Sequence, residues 1–138
     1  MILKDFPLVS FDKIRYSDTD RQGHVNNAVF STYLETGRVE LLFDPQYPVL
    51  GEDTSFVIAS LKLDYLNEIK WPGQVDIGTG IRKIGNSSVV FAQALFQNNL
   101  CVAKAETVIV QVHNTQKGSF PLSDASKKAL SRWLLRED

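Results

Sequence analysis

One short segment, residues 16–38, holds most of the side chains that can do acid–base or nucleophilic chemistry. It reads YSDTDRQGHVNNAVFSTYLETGR. Two carboxylates, one imidazole and two amides fall within ten residues: Asp18, Asp20, His24, Asn26 and Asn27. A carboxylate in such a group can take a proton from water or attack an electrophilic carbon directly. The pattern therefore favours a catalytic site over a packing element.

The segment joins a predicted strand to a predicted helix. Residues 8–16 alternate loosely between apolar and polar, as strands do, and residues 17–27 are rich in turn formers. Asn26 or Asn27 is the expected N-cap of a helix over residues 28–44. The first N–H groups of a helix have no partner within it, and the helix dipole is positive there. Carboxylates and free amide donors are thus expected in one place.

The predicted helix has one apolar face, which must pack on a sheet. Its members recur at spacings of three and four: Phe30, Tyr33, Leu34, Gly37 and Leu41. A helix of this length reaches ~25 Å, enough to cross a twisted sheet. Gly37 costs a helix interior roughly 1 kcal/mol, so we expect a close approach to the sheet there. Ser31, Glu35 and Arg38 are expected to lie away from the apolar face.

Four further strands and a short helix complete the predicted fold. Turn signals at short intervals indicate an antiparallel meander over residues 56–66, 75–84, 88–97 and 102–113. One face of the first of these strands is expected to carry Val57, Ala59, Leu61, Leu63 and Tyr65. The terminal helix follows Ser123 and turns Leu130, Trp133 and Leu134 inward. The fold class is α+β in one domain, 1–138, and its exposed sheet edges favour pairing between two copies.

Composition excludes several classes of protein. The 138 residues include 15 basic and 16 acidic side chains, which is not the basic footprint of a nucleic-acid-binding protein. No apolar run approaches the ~20 residues of a membrane span, and the first residues lack the apolar core of a signal peptide. The single cysteine, Cys101, cannot form an internal disulfide. A cytoplasmic protein without membrane or nucleic-acid partners is expected.

The motif residues carry a resemblance to a known family. The chain contains D-x-x-x-H-V-N-N, then an aromatic residue, Glu and Arg on the helix: Asp20, His24, Val25, Asn26, Asn27, Phe30, Glu35 and Arg38. It resembles the hotdog-fold acyl-CoA thioesterases of the 4-hydroxybenzoyl-CoA thioesterase-like superfamily, above all the branch that bears HVNN. The resemblance implies a long central helix wrapped by a curved antiparallel sheet. It also implies a homodimer or homotetramer with sheets joined edge to edge and active sites between subunits.

The resemblance assigns roles to individual residues. Asp20 stands at the position of the catalytic carboxylate, which is a nucleophile in some members and a general base for water in others. The backbone amide of Asn27, with that of Ala28 as a second candidate, is expected to polarise the thioester carbonyl. His24 and Asn26 are carried over as catalytic residues from relatives that share HVNN. Metal-ligand spacings are not visible, and thioester hydrolysis needs no cofactor.

Other polar residues near the motif are expected to support it. Asp18 is predicted to cap the loop. Glu35 is predicted to pair with Arg38 at i,i+3 or to hydrogen-bond the catalytic loop. Cys101 is expected in a turn as a structural thiol, and His113 is expected to have a role in the fold.

The predicted function is hydrolysis of an acyl-CoA to a free acid and CoA. The phosphates of CoA need cations, and Arg82 and Lys83 are the first candidates, with Lys104 and Lys117 as further ones. Hydrolysis of an acyl-ACP would use the same chemistry on an acidic carrier protein. A second alternative is a hotdog hydratase or dehydratase, which would use a His–Asp pair to move a proton. A third is a non-catalytic dimer that binds acyl groups without reaction.

Overall fold

The computed structural model describes residues 1–136, which form one antiparallel sheet and two α-helices. The strands are β1 (Leu8–Lys13), β2 (Thr54–Tyr65), β3 (Gln74–Ile84), β4 (Ser88–Gln97) and β5 (Leu100–His113). The helices are α1 (Val29–Leu42) and α2 (Asp124–Ser131), and short 3₁₀ turns occupy Leu3–Asp5 and Tyr16–Asp18. The strand order β1-β3-β4-β5-β2 leaves β1 and β2 at the edges. The predicted α+β class is confirmed.

Helix α1 packs on one face of the sheet, and its backbone comes close to the sheet at Gly37. A Cβ atom there would lie 2.8 Å from Ile77 Cγ2 and 2.9 Å from Gln93 Nε2, and it would overlap Thr79 Oγ1. The expected close approach at Gly37 is confirmed. Apolar residues of α1 such as Leu34 are fully buried against β3, β4 and β5.

The opposite face of the sheet is covered in part by the two ends of the chain. Phe6 packs on Gly78, where a Cβ atom would collide with its ring, and Leu135 covers Gly80 in the same way. Phe6 also joins Ala94 in a small buried cluster. Within residues 1–136, neither helix has the length and apolarity to cross a bilayer.

A β-bulge in β2 changes which side chains face α1. Ile58 pairs with Ile109 and Ser60 pairs with Val108, so Ala59 is the extra residue. Because one inserted residue reverses the alternation, Val57 and Leu61 lie on opposite faces of the sheet. The prediction of a single face from Val57 to Tyr65 is therefore wrong, and Ile58 takes the position expected for Val57.

Several predicted boundaries also differ. Strand β5 begins at Leu100 because Asn98 and Asn99 adopt positive φ and make a two-residue hairpin turn. Cys101 therefore lies in a strand and not in a turn. Helix α2 ends at Ser131, so Trp133 and Leu134 follow the helix, and Leu134 is bridged to β3.

Candidate active site

Asp18 fixes the conformation of the loop that precedes α1. Its Oδ2 accepts hydrogen bonds from the Arg15 N–H at 2.9 Å and from the Tyr33 hydroxyl at 2.8 Å. Its carbonyl accepts the Asn26 N–H at 2.8 Å. Burial of Tyr33, together with its hydrogen bond to Asp18, raises the pKa of the phenol well above its ordinary value. Asp18 thus ties the loop to the middle of α1.

Asp20 lies in a tight turn that leaves part of its carboxylate unbonded. Oδ1 accepts the Gln22 N–H at 2.9 Å, and the Asp20 carbonyl accepts the Gly23 N–H at 3.2 Å. Gly23 has a φ of 88°, a conformation that glycine adopts at little cost. Oδ2 accepts no hydrogen bond from residues 1–136. One carboxylate oxygen therefore remains available to take a proton or to attack a carbon.

The His24 imidazole lies between two carboxylates. Its Nδ1 is 4.0 Å from Asp20 Oδ1, and its Nε2 is 3.5 Å from Glu68 Oε1. A backbone bridge between His24 and Lys70 holds the connection after β2 beside the loop. Sequence reasoning missed Glu68, because a lone Glu in a connection has no signal that distinguishes it from a solvated side chain.

The start of α1 presents one amide without a partner. Asn26 Oδ1 accepts the Ala28 N–H at 2.9 Å, so the Ala28 amide is occupied and is not a second donor for a substrate. The carbonyls of Asn26 and Asn27 accept the N–H groups of Val29 at 2.9 Å and Phe30 at 3.4 Å. The Asn27 N–H donates to no acceptor in the described part of the chain. The N-cap of α1 is Ala28, so the prediction of Asn26 or Asn27 at that position is wrong. Asn26 instead accepts the Ala28 N–H just before the helix, and the amide of Asn27 stays open.

A cavity of about 220 Å³ is lined in part by Asn27. It is lined by residues of the loop, of α1 and of the connection after β2: His24, Val25, Asn27, Phe30, Tyr65, Leu66, Asn67 and Glu68. The Tyr65 hydroxyl donates to the Asn27 carbonyl at 3.1 Å, and its ring meets Phe30 edge-on at 5.0 Å. Asp20 does not line this cavity, whereas His24 lines it and also lies 4.0 Å from Asp20 Oδ1. The position of Tyr65 depends on the β2 register, which the sequence does not reveal.

Arg38 and Glu35 differ from the prediction. Arg38 is only 6% exposed, and its Nη1 donates to Gln93 Oε1 at 3.2 Å. Burial lowers the pKa of the Arg38 guanidinium, and the nearby negative charge of Glu35 opposes that shift. Glu35 is exposed and forms no ion pair with Arg38 or hydrogen bond with the loop among the described residues. The expected i,i+3 pair is therefore absent, because Arg38 turns inward to Gln93.

The predicted cations lie away from the loop. Arg82 lies late in β3 and pairs with Glu106 at 3.9 Å, on the sheet face opposite α1. Eight residues of strand separate it from Gln74, about 26 Å at the usual rise. Lys83 is exposed beside it, Lys104 lines a cavity with Arg82, and Lys117 is exposed after β5. Within one chain, the structure does not bring these cations to the loop.

A metal centre is not formed by the described residues: none of their His, Cys, Asp and Glu side chains gather in a group of three or more that could hold an ion. The polar groups available at the site are thus the Asp20 carboxylate, the His24 ring, the Glu68 carboxylate and the open amide of Asn27. This set can move a proton and stabilise an oxyanion.

Comparison with known proteins gives the family. The acyl-CoA thioesterase YbgC of Helicobacter pylori is 31% identical over 93 residues, which cover 67% of this chain and 67% of the relative. YbgC of Haemophilus influenzae is 27% identical over 104 residues, 72% of this chain and 76% of the relative.

Solved structures agree with the sequence relatives. A thioesterase from Thermus thermophilus, solved with coenzyme A and Zn, is 27% identical with a TM-score of 0.83, covering 97% of this chain and 98% of that chain. The predicted hotdog fold is thereby confirmed. The family model described as the thioesterase-like superfamily matches residues 14–134. This match spans most of the chain, and the protein belongs to the thioesterase-like superfamily.

Proposed function

We propose that the protein is an acyl-CoA thioesterase, which hydrolyses an acyl-CoA to a free acid and CoA. The observation that carries the proposal is the open Asn27 amide at the start of α1. His24 lines the same cavity as Asn27, and its Nδ1 lies 4.0 Å from Asp20 Oδ1. Membership of the superfamily supports thioester hydrolysis, and the coenzyme A complex of the Thermus relative supports CoA as the carrier.

The residues of the loop have separate roles in the proposed reaction. The thioester carbonyl oxygen accepts the Asn27 N–H, which stabilises the oxyanion that forms when the acyl carbon is attacked. As a general base, Asp20 takes a proton from a water molecule whose oxygen bonds to that carbon. The C–S bond then breaks and the CoA thiolate takes up the proton. As a nucleophile, Asp20 bonds to the carbon itself, the C–S bond breaks and the CoA thiolate leaves. Water then hydrolyses the mixed anhydride, which releases the acid, restores the Asp20 carboxylate and supplies the proton that the thiolate takes up.

The neighbours of Asp20 have supporting roles in this proposal. His24 contacts both the Asp20 side of the loop and the cavity, so it orients water or substrate. Asn26 holds the Ala28 N–H and thereby fixes the backbone that presents the Asn27 amide to substrate. Because Arg82 and Lys83 lie away from the loop of their own chain, they are proposed to meet the phosphates of a CoA bound at the other subunit of the dimer. The reaction requires no metal or organic cofactor.

We also propose that the active form is a homodimer, or a homotetramer built from it. Strand β2 bonds to β5 on one side, and its other edge pairs with no strand of the described residues. That edge carries exposed apolar side chains, which a second copy would cover: Val57, Ile58, Leu61 and Tyr65. Size-exclusion chromatography with light scattering should give at least twice the monomer mass. A monodisperse and fully active monomer would contradict the assembly.

A free-thiol assay over a panel of acyl thioesters tests the function. The panel contains acetyl-, hexanoyl-, dodecanoyl-, palmitoyl- and benzoyl-CoA, one dodecanoyl carrier protein and one enoyl-CoA. We expect release of CoA from at least one acyl-CoA at rates far above the uncatalysed reaction. Thiol release from the dodecanoyl carrier protein alone would show that the substrate is an acyl-ACP and not an acyl-CoA. Hydration of the enoyl-CoA without thiol release would make the protein a hydratase, and binding without any reaction would make it an acyl-binding protein.

A further inference from the structure

The backbone around the open amide is held from both sides. In residues 25–30, five of the six N–H groups donate to an acceptor, and Asn27 is the exception among the partners that residues 1–136 provide. On one side, the Asn26 N–H donates to the Asp18 carbonyl at 2.8 Å. On the other side, the Asn27 carbonyl accepts the Tyr65 hydroxyl at 3.1 Å. The open N–H therefore lies between two anchors.

The Asn27 carbonyl depends on Tyr65 because helix α1 holds it only weakly. The Phe30 N–H reaches this carbonyl at 3.4 Å, whereas N–H···O bonds usually measure about 2.7–3.2 Å. The Tyr65 hydroxyl is the second donor to the same oxygen. In the described part of the chain no third group bonds it. Without the hydroxyl, one long hydrogen bond would hold the carbonyl side of Asn27.

Tyr65 is itself fixed at both ends of its side chain. Its backbone belongs to β2 and pairs with Ala103 of β5, and the next N–H, that of Leu66, donates to the Val102 carbonyl at 2.9 Å. Its ring meets the buried Phe30 ring edge-on at 5.0 Å. A hydroxyl on a ring that is held in this way moves little. Tyr65 can therefore transmit the rigidity of the sheet to the start of α1.

The direction of the Asn27 N–H decides whether it can act on a substrate. An amide stabilises an oxyanion when it lies about 2.7–3.1 Å from the position that the negative oxygen will occupy. Rotations about the backbone bonds of Asn26 and Asn27 set that direction, and the bonds to Asp18 and Tyr65 restrict these rotations. We infer that Tyr65 is a positioning residue, whose hydroxyl aims the Asn27 N–H at the thioester oxygen. The inference rests on the proposed function, which takes this N–H as the oxyanion donor.

The size of the expected effect follows from what the hydroxyl does. Loss of an oxyanion donor costs about 10²–10³-fold in kcat, and a misplacement of 1 Å costs about 10²-fold. Removal of the Tyr65 hydroxyl loosens the Asn27 amide but leaves it in place, so we expect a loss of about 10-fold to 100-fold. Tyr65 is 50% exposed in one chain. In the proposed dimer the second copy covers this part of β2 and would exclude water from the bond.

Tyr65→Phe tests the inference by kinetics, because it removes the hydroxyl and keeps the ring against Phe30. On the acyl-CoA of the panel that is hydrolysed fastest, kcat should fall by about 10-fold to 100-fold while KM stays within about twofold, since the oxyanion forms only in the transition state. Tyr47→Phe is the control, because the Tyr47 hydroxyl bonds to no described residue, and it should keep both constants. A near-normal kcat in Tyr65→Phe would overturn the inference and leave the thioesterase proposal intact.

Two other roles for Tyr65 predict different results. If its hydroxyl acted on the substrate directly, Tyr65→Phe would lower kcat and leave the Asn27 amide as rigid as before. If Tyr65 served only the subunit interface, light scattering would show a smaller assembly, and activity would return at protein concentrations where the subunits reassociate. Either result would overturn the inference. A lower kcat with unchanged mass and unchanged thermal unfolding supports it, provided that the Asn27 amide becomes more mobile.

Amide relaxation measures that mobility without any substrate. In the unmodified protein, the ¹⁵N order parameter of the Asn27 amide should be about 0.85, the value of rigid backbone. In Tyr65→Phe it should fall to about 0.6 or below, and in Tyr47→Phe it should stay unchanged. Equal order parameters in the unmodified protein and Tyr65→Phe would contradict the inference. Because this measurement needs no turnover, it decides the role of Tyr65 even if the panel shows no thioester hydrolysis.

Discussion

Replacement of Tyr33 by Phe tests whether the loop is held to α1 through Asp18. The fully buried Tyr33 donates its hydroxyl to Asp18 Oδ2 over 2.8 Å. A hydrogen bond to a charged group contributes about 1.5–3 kcal/mol. Because Asp18 is partly exposed and keeps its bond from Arg15, we expect a loss at the low end of that range, about 1–2 kcal/mol. In a domain of this size, that loss lowers Tm by roughly 3–7 °C.

The same substitution changes how stability depends on pH. The pKa of Tyr33 is raised above its ordinary value of 10.0 by burial and by the hydrogen bond to Asp18. Above pH 10 the unfolded chain therefore releases the phenol proton first, and the free energy of unfolding falls as pH rises. By pH 11 this effect costs the unmodified protein at most about 1.4 kcal/mol, the free energy that the unfolded chain gains when the phenol ionises one unit above its ordinary pKa, and Tyr33→Phe lacks it.

Urea unfolding at pH 8 and pH 11 measures both effects. We expect the difference in unfolding free energy between the unmodified protein and Tyr33→Phe to narrow between the two pH values, by at most about 1.4 kcal/mol. Tyr47→Phe is the matched control, because its ring stacks on Arg132 and its hydroxyl makes no hydrogen bond to a described residue. A Tyr33→Phe protein as stable as the unmodified one at pH 8, or a gap that is constant with pH, would refute the role of this hydrogen bond.

Two further substitutions test the packing of the helix and the role of the thiol. Gly37→Ala should destabilise the protein by about 1–3 kcal/mol in urea unfolding, because its Cβ would overlap Thr79. Gly51→Ala, where a Cβ meets only Thr54 Oγ1 at 3.9 Å, should be neutral, and equal stability of the two variants would contradict the close approach. Cys101→Ser should keep most thiol-releasing activity, because Cys101 lies in β5 outside the catalytic loop. Complete loss of activity in a folded Cys101→Ser protein would make the thiol a catalytic candidate.

The parts of the fold that depend on local pattern were predictable from the sequence. The 3.6-residue period of α1, the turn at Asn98 and Asn99, and the glycine at the helix–sheet contact are signals written within a few residues. The inward orientation of the Arg38 side chain was not predictable, because its partner Gln93 lies 55 residues later and the contact depends on the register of β4. The bulge at Ala59 likewise has no local signal, since apolar residues occupy both faces of β2 there.

Some residues of the candidate site were likewise predictable from local pattern, and others were not. Asp20, His24 and Asn27 are neighbours in the chain, so their proximity could be read from the motif. Tyr65 is the last residue of β2 and Glu68 follows the strand. Both reach the loop only because the sheet places this end of β2 beside it. Predicting them requires strand order and register, which periodicity alone does not provide.

The central claim is that the Asp20 carboxylate carries out thioester hydrolysis, and Asp20→Asn tests it most directly. Asn has nearly the same volume and can still accept the Gln22 N–H, but it cannot take a proton from water and is a poor nucleophile. On the best substrate of the panel, we expect thiol release to fall by roughly 10²–10⁴-fold. Circular dichroism, assembly mass and affinity for an unreactive analogue should stay unchanged, and Asp64→Asn, on the opposite sheet face, should retain activity. Near-normal turnover by Asp20→Asn, with turnover abolished in Glu35→Gln, would contradict the claim and place the base on α1.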